Sequence, residues 1–498
     1  MRLLSPGSGP RVDLGVVLLE ADARLGGRTF TVSGEGENTK KLSFDIGGQW
    51  IGKKQTRIYE LVKQLDIKTI PQFHQGKKVF QSNTSVSTYS GTIPKINIFK
   101  ILDFELNLRY YMDSLAAKIN SLRGWSSKKS GLDSKSVESI LYDKTYSDCG
   151  GLLDVFVRAV WGTEPKHLGL LFSLFYIHSA GGVYPLAETE GGAQEAKLEG
   201  GTQQISQKCA EKFISKGGNI KLNQLVVKIT KEKDGTYLLM CRDPTNSDAP
   251  FTLYRSKYVI LAIPPTQYKS IQFEPCLPLE KQLLAEKAFM GSYLKMILLF
   301  KKPFWREKGY SGEITCALDE SSFPEFPITM GFDSSQENAK SWGLVVFLAG
   351  TSGLYWTQKS TPERHAAVLK HLRHLFKDCE VDEPIEIIEK NWNVHPFTKG
   401  CPVNCIPTGA MKLFECAAAP VGNIHFASTE TAKEWHGYMS GAVEAGERTA
   451  FEVLHKIDSK FPLPVQHQPT QNHSLVSLQN ILILIILAIA LLAWWFLN

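Results

Sequence analysis

The segment from Asn423 to Ala450 constrains this chain more than any other. Asn423-Ile424-His425-Phe426-Ala427 reads as a short apolar strand. A Ser428-Thr429-Glu430-Thr431 turn and a loop carrying Trp435, Gly437 and Tyr438 follow it. A helix is predicted from about Gly441, with Gly441, Ala442, Ala445 and Gly446 on a face that admits close approach. A strand that passes through such a turn into a helix aims several backbone N–H groups at one point, beside the positive end of the helix dipole. That makes a cradle for an anion or a cofactor. On geometry alone, an ordinary strand–turn–helix of an α/β core describes the segment equally well.

Further turns upstream repeat the pattern. Val16-Val17-Leu18-Leu19-Glu20 reads as a buried strand of a parallel sheet ending in an acid, a group that can accept hydrogen bonds from a ribose in a dinucleotide fold. Arg24-Leu25-Gly26-Gly27-Arg28-Thr29 combines two glycines, which let a pyrophosphate approach the backbone, with an arginine to neutralise it. Phe44-Asp45-Ile46-Gly47-Gly48-Gln49-Trp50 again opens a strand into a Gly-Gly turn. Each turn alone is common, and the information lies in their ordered series.

At 498 residues the chain is too long for one small core and implies two interleaved domains. Net charge is +6 with no dense Lys/Arg run, which argues against nucleic acid as a partner. Nine scattered cysteines, an odd number without metal-ligand spacing, point to a reducing environment rather than a disulfide framework. Residues 481–497 are 17 positions without a charge, with Trp494 and Trp495 near the end. They read as a short C-terminal membrane anchor into a lipid bilayer, after a Pro/Gln/His/Ser-rich linker at 462–480. Met1 to Leu14 has no apolar run of the signal-peptide kind.

The Ser-Thr-Glu-Thr turn, the Trp435-x-Gly437-Tyr438 loop and the upstream glycine turns resemble the flavin-containing monoamine oxidase family, from about Val16 to the tail. The resemblance implies an α/β fold in which a Rossmann-like FAD-binding domain interleaves with a mixed-sheet substrate domain. The expected boundaries are 1–93, 200–288 and 391–461 for the FAD-binding parts, and 94–199 and 289–390 for the substrate parts. FAD contacts are implied for Glu20, Ala21, Arg28, Gly47, Gly48, Val226, Trp392, Glu430 and Thr431, and a thioether to the flavin for Cys401.

Lys295 sits in the otherwise apolar strand Tyr293–Phe300. It is either an edge lysine snorkelling to water or, as the resemblance implies, the residue that holds a water against the flavin. Cys401 is likewise either an inert buried thiol or the flavin attachment point. By the same match Tyr438 is one wall of an aromatic amine cage. Gln194, Leu186, Ala187, Met330 and Phe347 line the substrate cavity, Leu186 and Ala187 as gates.

Three departures stand out. Pro402 occupies the place of the second cage aromatic, Ser428 replaces the first glycine of the turn, and the Gly-x-Gly-x-x-Gly strand–turn expected about 20 residues before Glu20 is not recognisable in Gly7-Ser8-Gly9-Pro10. The implied activity is oxidation of a primary or secondary amine by transfer of a hydride to the flavin. Imine hydrolysis then gives an aldehyde, and oxygen gives hydrogen peroxide. Polyamine oxidation, or a membrane-tethered protein whose flavin cradle is impaired, are the rival readings. By family analogy the address is the mitochondrial outer membrane, with the endoplasmic reticulum as the alternative. A homodimer is left open.

Overall fold

Tyr293–Phe300 is a strand all eight of whose residues are buried. Its run of apolar and aromatic side chains suits a strand covered on both faces. The computed structural model describes residues 14–91, 103–119, 130–140 and 150–461. The expected membrane anchor, its linker and the glycines at 7–9 lie outside these residues. Among the described residues no helix is long and apolar enough to cross a membrane.

The strand belongs to a seven-stranded sheet with the order Glu386–Asn391, Tyr293–Phe300, Trp342–Ala349, Met330–Asp333, Tyr310–Ala317, Lys77–Ser82, Val86–Tyr89. Every pairing is antiparallel except Tyr310–Ala317 with Lys77–Ser82. Strand alternation divides Tyr293–Phe300 between two cores. Leu294, Met296, Leu298 and Phe300 pack under the helix Thr361–Leu375 with Leu344, Val346 and Leu372. Tyr293, Ile297 and Leu299 face the other way, with Phe44, Ile46, Phe347, Trp392 and Cys401. A third, helical core gathers Leu153, Trp161, Phe172, Tyr176, Leu186 and Trp435.

The dinucleotide side is built differently from the single parallel sheet that the sequence suggests. Among the described residues, Val17–Leu19 pairs in parallel with Asn219–Lys221, and Val259–Leu261 with Ile424–Phe426, as two separate two-stranded units. Beside them stands a four-stranded sheet running from Thr252–Ser256 through Tyr237–Arg242 and Leu225–Lys231 to Gln272–Glu274. The expectation that Val16–Glu20 is buried on both faces is therefore corrected. Val16, Val17 and Leu18 are 46, 47 and 40% exposed, and Ile260 is 47% exposed. The difference lies in what covers the faces: Ile424–Phe426, also paired on one flank, is wholly buried against the core that holds Tyr268 and Phe273, whereas among the described residues Val16–Leu18 lack such a cover.

The helix that follows the C-terminal turn runs from Met439 to Ile457, two residues earlier than predicted, with Tyr438 as its N-cap position. Its small residues differ in their surroundings. A Cβ on Gly441 would lie 2.4 Å from the Trp435 carbonyl oxygen, whereas Gly446 faces open space.

Candidate active site

Three turns far apart in sequence meet at one point. Arg28, from the first Gly-Gly turn, donates to both carboxylate oxygens of Glu430, at 2.6 and 3.0 Å, and to the Pro402 carbonyl oxygen at 2.7 Å. The Asn404 backbone N–H adds a third bond to Glu430, at 3.3 Å. Burial alone would raise the carboxyl of Glu430, but Arg28 outweighs it and holds it below the usual carboxylate range. Thr431, beside it, spends its hydroxyl inside the turn on the carbonyls of Ser428 (2.7 Å) and Phe426 (3.3 Å) and accepts from Arg448 at 2.7 Å.

The second Gly-Gly turn is pressed against the first. Gly47 and Gly48 donate to the carbonyls of Phe30 and Arg28 at 3.2 and 2.9 Å. A Cβ at Gly47 would lie 2.2 Å from the Arg28 carbonyl oxygen, so only glycine fits, whereas Gly48 is exposed and a Cβ there would meet ordinary contacts at 3.9 Å. Asp45 anchors this turn from below. It accepts from Thr31 (2.6 Å) and from the backbone N–H and hydroxyl of Thr202 (2.9 and 3.1 Å). Glu20 accepts from the Asp22 backbone N–H at 2.9 Å, and its carbonyl accepts from Gln224 at 2.8 Å. That bond sets Val226 near the end of the Glu20 strand, where Leu19 and Val226 pack on one core. Ala21 follows Glu20 and is half-buried.

Lys295 is 1% exposed, so the edge-lysine alternative does not hold. Its ammonium donates to the Gly47 carbonyl at 3.0 Å and to Gln49 Oε1 at 2.7 Å, and lies 5.4 and 5.3 Å from the ring centres of Trp50 and Phe347. Burial pushes its pKa down to about 7, only partly countered by Asp45 and Cys401. Strand register places Lys295 opposite Phe347, and Phe347 opposite Met330, so these three residues form one row across the sheet. Cys401 and Trp392 pack in the same cluster as Phe347, and Trp392 donates its indole N–H to the Ile46 carbonyl at 2.8 Å. Burial pushes the Cys401 thiol up to about 12 despite the nearby Arg28 and Lys295. Tyr438 packs against Trp435 and Tyr176 with ring centres 5.3 and 6.0 Å away.

The cavity residues are less uniform. Leu186 is 1% exposed and closes on the helical core, whereas Ala187, next to it, is exposed. Gln194 approaches the Leu186 carbonyl at 3.5 Å, and its Oε1 is buried with no hydrogen-bond partner among the described residues. Two residues escape the sequence reading. Gln49 is visible inside its Gly-Gly turn, and Tyr293 lies two positions before Lys295, the spacing that puts side chains on one face of a strand.

Comparisons with known proteins agree with this geometry. A family model described as flavin containing amine oxidoreductase matches residues 3–454. The chain is 32% identical over 452 residues, 90% of its own length and 94% of the relative's, to a probable flavin-containing monoamine oxidase A of Dictyostelium discoideum. In structure it is similar to a putrescine oxidase bound to putrescine, with a TM-score of 0.78 at 25% identity over 88% of this chain and 92% of the other. It is also similar to cyclohexylamine oxidase from Brevibacterium oxydans, with a TM-score of 0.76 at 27% identity over 88% of this chain and 93% of the other. With its turns converging on one site and its match spanning nearly the whole length, the chain belongs to the flavin-containing amine oxidases, a family of oxidoreductases.

Proposed function

We propose that the protein oxidises a primary or secondary amine to an imine that hydrolyses to an aldehyde, with release of hydrogen peroxide, and that its FAD is joined to Cys401. The observation that supports this best is the meeting of Lys295, Phe347, Trp392 and Cys401 on one face of the large sheet, beside the Arg28–Glu430 clamp. The donor set fits a flavin: paired glycine turns, a half-buried arginine, an indole and a thiol side by side, and the unpartnered Gln194 Oε1. A bound flavin would supply the two-electron acceptor that side chains lack.

The chain's own residues do the rest. Arg28 and Glu430 fix the Pro402 carbonyl and hence the backbone beside Cys401. Lys295, poised near neutrality, can hold or release a proton beside Gly47 and Gln49. Phe347 and Met330 set an apolar row beside Lys295, which favours an uncharged amine over its ammonium form. The test is to purify the full-length chain, precipitate it with acid and ask whether flavin absorbance stays with the protein, then to score peroxide release over a panel of amines. A folded, colourless protein that oxidises none of them would sink the reading.

A diamine substrate is the second reading. It is favoured by the likeness to a putrescine oxidase and by Glu188, which follows Ala187; burial first, with Glu313 adding, pushes its carboxyl up to about 6. Comparing putrescine with butylamine in the same panel separates the two. Residues 481–497 are proposed to anchor the enzyme in the mitochondrial outer membrane; cell fractionation of the full chain, and of one ending at residue 480, tests this.

A further inference from the structure

Pro402 carries no aromatic ring, and its ring is packed close against two glycines. Its Cδ lies 3.0 Å from where a Cβ on Gly162 would stand and 2.9 Å from one on Gly291. The backbone there is laced to the start of the lysine strand: Cys401 donates to the Gly291 carbonyl at 3.0 Å, Gly291 to Val403 at 3.1 Å and Ser292 to Gly162 at 2.8 Å. The next residue along this lacing is Tyr293. It lies on the same face of the strand as Lys295 and packs in one cluster with Cys401, Trp392 and Phe347. Its ring centre is 5.5 Å from that of Phe347, tilted by 57°. Its phenol is fixed by donating to the Ala159 carbonyl, so the ring cannot swing away. Burial, and to a lesser degree the neighbouring Cys401, Tyr438 and Cys405, push its phenol well above the usual range, so it stays protonated.

The geometry points to Tyr293 as a substrate-contacting residue: with Tyr438 it supplies the aromatic surface that receives the amine, in the region where Pro402 offers none. This rests on the amine-oxidase reading above. An aromatic ring with its phenol tied off offers a rigid π face to an amine nitrogen, which an aliphatic side chain at the same place does not. Two residues on separate elements, Tyr293 on the sheet and Tyr438 at the start of a helix, then select for the amino group, while the Phe347–Met330 row selects for the substituent.

The experiment compares the flavin-loaded enzyme with Tyr293→Leu, Tyr293→Phe and Tyr438→Leu, using benzylamine and butylamine as substrates. Tyr293→Leu is expected to raise KM roughly tenfold, in line with the loss of a π contact to a desolvated amine, with the flavin spectrum unchanged. Tyr293→Phe keeps the ring and loses only the bond to Ala159, so its KM rises less than about threefold on the same scale. Tyr438→Leu gives a loss on KM of the same kind as Tyr293→Leu. If Tyr293→Leu does not fold, Tyr293→Met, nearer in volume, carries the same comparison. The inference is overturned if the leucine (or methionine) variant binds both amines as the wild type does. It is equally overturned if Tyr293→Phe loses as much as Tyr293→Leu, since that would assign the residue's value to its Ala159 bond. If the wild type itself turns over no amine, the failure belongs to the amine-oxidase reading; turnover with an insensitive Tyr293 leaves that reading intact and removes only this one.

Discussion

Arg28 and Glu430 stand 402 positions apart and hold each other through two hydrogen bonds, at 2.6 and 3.0 Å. The same guanidinium reaches the Pro402 carbonyl. One side chain thus joins the beginning of the described chain, its end, and the loop that carries Cys401.

Breaking this pair costs stability because the surviving charge is left buried. Glu430 is 1% exposed, so Arg28→Met should destabilise the protein by roughly 3–5 kcal/mol through an uncompensated carboxylate. Glu430→Leu should do the same through the cation. The double variant Arg28→Met/Glu430→Leu should be less destabilised than the sum of the two, since neither charge is then stranded. Urea unfolding of the four proteins closes the cycle, and additive losses would show that the pair is not coupled.

Glycine positions separate by what a methyl group would meet. At Gly47 it would meet the Arg28 carbonyl oxygen at 2.2 Å, a backbone atom that cannot step aside without opening both turns. Gly47→Ala should therefore lower Tm sharply and reduce the fraction of protein that incorporates flavin. Gly446→Ala, in the helix Met439–Ile457 with open space around it, should raise stability by about 0.5–1 kcal/mol. Equal melting temperatures for the two variants would contradict the packing.

Cys401 should be chemically quiet in the flavin-free protein. With its thiol pushed up to about 12, roughly one molecule in 10⁴ carries the thiolate at pH 8. Cys276 is exposed and serves as the internal comparison. Iodoacetamide at pH 8, followed by peptide mapping, should label Cys276 first and leave Cys401 largely untouched. In the flavin-loaded enzyme Cys401→Ala should leave no flavin with the acid precipitate. Retention in that variant would place the linkage elsewhere or nowhere.

Much of this site is legible in the sequence because its parts are turns, and turns declare themselves locally through glycine, acid and aromatic spacing. The lysine strand is bounded at Tyr293 and Phe300 in sequence and structure alike, because an unbroken apolar run carrying a single lysine fits a buried strand better than a helix face or a loop. The depth of Lys295 is not readable in the same way: burial depends on the Trp342–Ala349 and Glu386–Asn391 strands that flank it, and only the fold brings those together. The exposure of Val17 and Leu18 is hidden for the same reason, since an apolar run is compatible with a covered face but does not show, among the described residues, what covers it. Gln49 and Tyr293 are easily passed over because each lies beside a more conspicuous residue, and only its hydrogen bond or ring contact sets it apart.

The lysine makes the sharpest pH prediction. Its folded pKa, about 7, lies below the roughly 10.4 expected for an exposed lysine in the unfolded chain. Between those values the unfolded state binds more protons than the folded one. Stability contributed through Lys295 therefore rises as pH climbs from about 7 and levels off above about 10.4; below 7 both states are protonated and the full cost of burying the ammonium applies. Lys295→Met should flatten that rise in urea unfolding measured between pH 7 and 9. In catalysis the neutral amine predominates above pH 7, so kcat/KM should carry a limb near that pH that disappears in Lys295→Met, with turnover reduced on the order of 10²-fold if the residue handles a proton. A variant that keeps both the limb and the stability slope would show that the titrating group is another one, with Glu188, held near 6, the next to examine.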